Sequence, residues 1–183
     1  MWKQAPQAAV LVLYAYFESG PKLLLTQRAR NLSMHAGEVA FPGGKRDPSD
    51  DSLWETALRE TEEEVGIDRT EVNMEAELPK VYSGTGIRVS PFVGRVKAGL
   101  PLVLNASEIA TASWIPVADV IADKRIRTDV FSRFEQEFWA PAYRLNGYYV
   151  WGLTSRIMVD FVNRGWQAGI GREHSAPVAC FKP

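Results

Sequence analysis

The sequence predicts an α/β fold, with helices packed on a mixed sheet. Three observations carry that expectation. The run Ala8-Ala9-Val10-Leu11-Val12-Leu13 is continuously apolar and β-branched in part, as a strand buried on both faces would be. Leu53, Trp54, Ala57, Leu58 and Val65 recur at helical spacing and form a stripe of roughly 140° at 100° per residue. A second such segment, Leu153–Arg164, lies far along the chain, with strand-like stretches between the two.

Ala8–Phe17 is expected as a buried strand that turns at Glu18-Ser19-Gly20-Pro21 and returns as Lys22–Gln27, making a hairpin. Gly37–Phe41 reads as a short strand ending at Pro42-Gly43-Gly44, and Lys45–Asp51 as a polar loop. Asp50, Asp51 or Ser52 can cap the first helix, which runs to about Val65 and stops at Gly66. Glu71–Val81 and Ile87–Val96 carry strand signals around Ser83-Gly84-Thr85-Gly86. Gly99–Asn105 is a loop, Ala110–Ile115 a strand and Pro116–Ile121 a short helix. Phe131–Tyr143 is aromatic-rich without a clear period, and Tyr148–Trp151 precedes the second long helix as a strand. The chain reads as one domain over residues 1–183, with 165–183 as a loosely held tail.

Bulk properties narrow the function. The 183 residues are 46% hydrophobic and 11% aromatic, enough for a substantial core, and a net charge of −1 supplies no global field toward nucleic acid or a membrane. The apolar run near the N-terminus is too short to span a bilayer. The one cysteine, Cys180, fits a reducing compartment, so a cytoplasmic protein is expected, and no base stands near it in sequence to make it a nucleophile. With His35 and His174 as the only histidines, neither a Ser-His-Asp nor a Cys-His constellation presents itself.

The chemistry concentrates in Arg59-Glu60-Thr61-Glu62-Glu63-Glu64-Val65-Gly66-Ile67. On a helix Glu60, Glu63 and Glu64 fall within one arc of about 100°, while Glu62 points the other way. Like charges at that spacing repel by a few tenths of a kcal/mol per pair. A solvated acidic face is the ordinary alternative, but Glu64 projects onto the margin of the apolar stripe, where an unpaired carboxylate is costly. A hard divalent cation such as Mg²⁺ would offset both costs. Gly43 and Gly44 permit close backbone approach. Lys45, Arg46, Arg28 and Arg30 bring positive charge suited to phosphates. Carboxylates, a cation and arginines together support attack of water on a phosphoryl group.

These residues match a family. Gly44, Asp51, Arg59-Glu60, Glu63-Glu64 and Gly66-Ile67 resemble the Nudix signature G-x5-E-x7-R-E-U-x-E-E-x-G-U, where U is bulky and apolar. Asp51 stands in place of the first glutamate, the gap from Gly44 is one residue longer, and Thr61 replaces the apolar residue after Arg-Glu. Upstream, Leu24-Leu25-Thr26-x-Arg28 followed by Gly37 and Phe41-Pro42-Gly43-Gly44 resembles the L-L-T-x-R-S-x3-R-x3-G-x3-F-P-G-G motif of coenzyme A pyrophosphatases. Ala29 and Ser33 replace its serine and second arginine. Ser90-Pro91-Phe92-Val93-Gly94 and Trp151-Gly152-Leu153-Thr154-Ser155-Arg156 are similar to that subfamily too, so the likeness spans roughly Leu11 to Asn163.

The resemblance implies an α/β/α sandwich, a Mg²⁺ or Mn²⁺ requirement, a small nucleotide pyrophosphate as substrate, and often a homodimer. It implies that Glu60, Glu63 and Glu64 ligate metal with a carbonyl of Gly43 or Gly44. Arg59 would orient a carboxylate, plausibly Glu63. The general base would be Glu60 or an acid from a later loop, for which Glu108 is the candidate. Arg28, Arg30, Gly43, Gly44, Lys45 and Arg46 would contact substrate. Coenzyme A or a derivative is the expected substrate. Another nucleoside diphosphate compound is the first alternative, motivated by Ser33, and a ligand-binding module without turnover is the second.

Overall fold

The computed structural model describes residues 6–31, 35–133 and 136–181. In chain order the elements are β1 (Gln7–Phe17), β2 (Gly20–Arg28), β3 (Val39–Ala40), β4 (Gly43–Lys45), α1 (Leu53–Val65), β5 (Asn73–Glu77), β6 (Val81–Tyr82), β7 (Arg88–Arg95) and β8 (Ile109–Pro116). They continue with α2 (Val117–Ile121), β9 (Arg127–Arg133), β10 (Gln136–Leu145), β11 (Tyr148–Val150), α3 (Gly152–Trp166) and β12 (Val178–Phe181).

β1 is the axis of the larger, eight-stranded sheet, whose main order is β3-β2-β1-β7-β5. It runs parallel to β7, with Leu11 opposite Phe92. Its C-terminal half forms the expected hairpin with β2, with Tyr14 opposite Leu23, and its N-terminal half pairs with β4, with Ala9 opposite Gly44. β8 lies antiparallel to β2. Because both faces of this sheet are covered, successive β1 residues point into two different cores. Leu11 and Leu13 join Ala57, Leu58 and Val65 of α1 on one side. Val12 and Tyr14 join Ile157, Met158 and Phe161 of α3 on the other. Each such large apolar side chain contributes about 1.5–3 kcal/mol by leaving water. The result is the expected α/β/α layering.

α1 begins and ends as its sequence predicts. Ser52 is the cap that the structure selects, its hydroxyl accepting from the Glu55 N–H at 3.1 Å. At the other end Gly66 takes φ 72° and donates its N–H to the Glu62 carbonyl.

Several boundaries differ from expectation for physical reasons. The strand expected over Gly37–Phe41 is confined to Val39–Ala40, because Gly37 turns at φ 73° and donates to the Arg28 carbonyl. Lys45, assigned to a loop, ends β4. The strand expected over Glu71–Val81 is broken into β5 and β6, with a short 3₁₀ turn at Arg69–Glu71 before them. Pro79, which lacks an N–H for a ladder, falls between those two pieces. Trp151 precedes α3 instead of closing β11, and the helix continues past Gly165 to Trp166.

The largest correction concerns the aromatic segment and the tail. Phe131–Tyr143 resolves into β9 and β10, an antiparallel pair in a separate four-stranded sheet of order β11-β10-β9-β12. The C-terminal stretch expected to be loose supplies β12, which runs parallel to β9 and stacks Phe181 on Phe131 with centroids 5.2 Å apart. Buried Arg125 holds the connecting chain through the Gly171 carbonyl at 2.9 Å, and Asn163 exchanges two 2.9 Å hydrogen bonds with Ile170. Single-strand periodicity could not show this, because the partner of β12 is some fifty residues away in sequence.

Candidate functional site

The site forms where α1 crosses the β4 edge of β1. Gly43 sits at φ 150° and approaches β1 so closely that a Cβ there would lie 2.3 Å from the Ala9 carbonyl oxygen. Gly44, next in the strand, faces α1, and a Cβ on it would lie 2.4 Å from the Glu60 carboxyl carbon. These two glycines are therefore required by different neighbours: the first by the β1 backbone, the second by a carboxylate.

Glu64 lies deeper, 2% exposed. Its carboxylate accepts from the Gly43 N–H at 3.3 Å and stands 3.5 Å from an Arg28 guanidinium nitrogen. Burial pushes its carboxyl up to about 8. The Gly43 N–H and Arg28 oppose that shift, and the charges of Glu60 and Glu108 add to it. Glu60 is also raised, first by burial, with Arg59 opposing and Glu63 and Glu108 reinforcing. A site whose carboxylates resist ionisation, chiefly because they are buried and in lesser part because other acids stand near, is one a cation would stabilise.

Arg59 is the organising cation of this region. Its Nε and a terminal nitrogen grip Asp50 at 2.9 and 3.1 Å, and its other contacts are Glu63 and Glu60, each at 3.1 Å, and the Lys45 carbonyl. Asp50 also accepts the Asp47 N–H and the Thr56 hydroxyl. The Arg59 hydrogen bonds hold its carboxyl well below the usual carboxylate range, against the cost of burial. Sequence reasoning missed this role by considering Asp50 only as a cap and placing Asp51 in the signature. Asp51 is exposed, and Asp50 is the acid that meets Arg59. With Asp50 in that place the spacing from Gly44 is the unbroken x5 of the signature, and the extra residue falls between Asp50 and Arg59.

The remaining candidates divide. Glu63 is 54% exposed and turned to Arg59. Among the described residues, no three acidic, histidine or cysteine side chains converge at ligating distance, so Glu63 does not join Glu60 and Glu64 at one point. The 105–109 loop, however, is brought in. Asn105 donates its N–H to the Glu64 carbonyl, Ala29 donates to the Glu108 carbonyl, and the Glu108 carboxylate accepts from the Asn105 amide. This loop sets the Glu108 charge against Glu60 and Glu64. Arg46 reaches the Asp50 carbonyl at 3.0 Å. Lys45 and Arg46 line a basin of about 460 Å³ with Pro6, Gln7, Asp47 and Pro48. Arg30 is exposed near Gly37. His35 pairs with Glu38 at 2.8 Å in an exposed turn, and Arg95 is engaged with Glu75 at the far sheet edge. Ser33 lies outside the described residues.

The donor set suits a hard divalent cation: carboxylate oxygens of Glu60 and Glu64, and a main-chain strand with no Cβ between it and Glu60. Glu63, a turn away on the same helix, is held within reach of that region by Arg59. No helix among the described residues is long and apolar enough to cross a membrane.

An acidic helix set against a glycine strand and flanked by arginines suits a divalent cation and a phosphate together. The NUDIX domain model matches residues 5–134, and the chain belongs to that family, whose members generally use divalent metal ions. The chain is 41% identical over 138 residues to the "Uncharacterized Nudix hydrolase NudL" of Yersinia pestis, covering 75% of this chain and 69% of that one. In structure it is similar to the Nudix hydrolase RenU of M. smegmatis, with TM-score 0.54, 27% identity, and 64% and 74% of the two chains covered. The NUDIX domain of Shewanella oneidensis NrtR, solved with ADP ribose, shares the fold at TM-score 0.51 and 22% identity, over 66% of this chain and 78% of that one.

Proposed function

We propose that this Nudix hydrolase cleaves the pyrophosphate of coenzyme A or a coenzyme A derivative, giving 3′,5′-ADP and a 4′-phosphopantetheine species. The observation that carries the reading is the meeting of two sequence motifs at one carboxylate. Arg28 and Gly43, from the segment resembling coenzyme A pyrophosphatases, both contact Glu64 of the Nudix helix. These contacts support a place for the upstream motif in the reaction centre.

Glu60, Glu64 and Glu63, with a carbonyl of Gly44, would hold Mg²⁺ or Mn²⁺. Bound there, the ion supplies charge neutralisation and a lowered pKa for water. Arg59, fixed by Asp50, keeps Glu60 and Glu63 oriented. Glu108 takes the proton from the attacking water, as its position against Glu60 and Glu64 supports. Arg28, Arg30, Lys45 and Arg46 receive the phosphates. The protein acts as one Nudix domain in the cytoplasm, and a homodimer is the assembly the family resemblance suggests.

The test is a hydrolysis assay on coenzyme A, acyl-coenzyme A, ADP-ribose, a dinucleoside polyphosphate and an oxidised nucleotide, with each metal, in which the products are separated and identified by mass. Coenzyme A should give the best kcat/KM. A preference for ADP-ribose would favour the alternative of a different nucleoside diphosphate compound. That reading is supported by Ser33 in place of the motif's second arginine and by the ADP ribose bound to the NrtR domain.

A further inference from the structure

We infer that Arg28 is an exchangeable counter-ion. It stands against Glu64 in the cation-free protein and turns its guanidinium to a phosphoryl oxygen of the substrate once a divalent cation occupies the Glu64 carboxylate. Cation and nucleotide binding are then coupled through this one side chain. The inference rests on the proposed reading of the site as one that binds a cation and a pyrophosphate.

Three observations support it. First, Glu64 is almost fully buried, and Arg28 is the only cation paired with it among the described residues. A buried carboxylate needs such a partner. Second, the pairing is loose. The closest approach of 3.5 Å is beyond hydrogen-bonding distance for a guanidinium and a carboxylate, and the Arg28 Nε is buried without any partner. A guanidinium carries five N–H donors, and this one leaves its buried donor unspent. Third, the neighbouring Arg59 is already committed, to Asp50, Glu60, Glu63 and a main-chain carbonyl, and cannot change partners without dismantling the start of α1. Arg28 stands at the end of β2, where the register with β8 shifts, and its own main chain is pinned by Glu38 and Gly37. The backbone is fixed while the side chain has donors to give.

An arginine held for substrate alone makes no such link, because its loss leaves the cation site unchanged. An exchangeable counter-ion competes with the cation for Glu64, so its removal frees the carboxylate.

The experiment uses the full chain as wild type, Arg28→Ala and Arg28→Lys. Mn²⁺ binding is measured by calorimetry without nucleotide, ADP binding is measured in EDTA and in Mn²⁺, and Tm is measured in both. Arg28→Ala is expected to bind Mn²⁺ about tenfold more tightly than wild type, as expected when a competing positive charge is removed. In EDTA its Tm should fall by several degrees, and Mn²⁺ should restore most of that loss. Its ADP affinity should drop about tenfold in Mn²⁺ and change little in EDTA. Arg28→Lys retains the charge but not the fork, so it should match wild type for Mn²⁺ and still lose ADP affinity. Unchanged or weaker Mn²⁺ binding in Arg28→Ala, or equal loss of ADP affinity in EDTA and Mn²⁺, overturns the inference while leaving the cation site intact. Absence of any Mn²⁺ isotherm in wild type overturns the functional reading itself.

Discussion

Adding one methyl group at Gly44 or at Gly43 should produce opposite failures, although the residues are neighbours. At Gly44 the new Cβ would lie 2.4 Å from the Glu60 carboxyl carbon, and ordinary contact begins near 3.4 Å. The obstacle is the end of a flexible side chain, so Glu60 moves by about 1 Å and the fold is kept. Gly44→Ala should therefore change stability by less than about 1 kcal/mol, within the range of unremarkable substitutions. A displacement of that size at a reacting centre can cost about 10²-fold in rate. At Gly43 the obstacles are the Ala9 carbonyl oxygen at 2.3 Å and the Val10 Cα at 2.6 Å, both main chain of the central strand, and φ is 150°. Gly43→Ala should cost several kcal/mol, from overpacking together with backbone strain. The assay pairs urea denaturation with kcat/KM on the best pyrophosphate substrate. Gly44→Ala should be folded and poorly active, and Gly43→Ala unfolded at low denaturant. Gly44→Ala within threefold of wild-type activity, or as unstable as Gly43→Ala, would refute the placement of Glu60 against β4.

Other outcomes follow from the same geometry. Asp50→Asn should destabilise the chain by about 3 kcal/mol, as breaking one side of a buried charged pair does, measurable by urea titration. Because Asp50 has a folded pKa below its unfolded value, its stabilisation is complete above the ordinary carboxylate range and is lost as pH falls toward the folded value. Wild type should thus lose stability on acidification from about pH 5, and the Asn variant should show a flatter acid limb. Glu108→Gln should lower kcat by about 10²–10⁴ with little change in KM, the range for a lost general base; a kcat within threefold would remove Glu108 from that role. Glu63→Gln should lose more than about tenfold in rate, or 1.4 kcal/mol, and a smaller loss would take Glu63 out of the metal set. Arg125→Ala should release the Gly171 carbonyl and the contact with Asp123, exposing 171–181 to proteolysis while leaving the KM for substrate unchanged.

How much of this was legible in one dimension depended on the range of the interaction. α1, its stop at Gly66 and the shared face of Glu60 and Glu64 depend on residues within a few positions of one another, and helical periodicity and the glycine report them directly. The β1–β2 hairpin is equally local. Asp50 was visible as an acid near the helix start, but nothing local distinguishes a cap from a partner of Arg59. Both Asp50 and Ser52 are good caps, and the choice between them is made by the Arg59 guanidinium nine residues on.

The sequence by itself determined the chemistry available to this protein: a helix carrying Glu60, Glu63 and Glu64, a Gly43-Gly44 strand and arginines at Arg28 and Arg59. These are covalent facts ordered by the 100° step of a helix. Only the tertiary structure decided which of these groups meet. It buried Glu64 beneath Gly43 and Arg28, turned Glu63 outward onto Arg59, and drew Glu108 in through the Asn105 loop. It also converted the tail into β12. Those outcomes depend on strand pairings and packing between segments far apart in the chain, where the loss of loop entropy is repaid only by the assembled core.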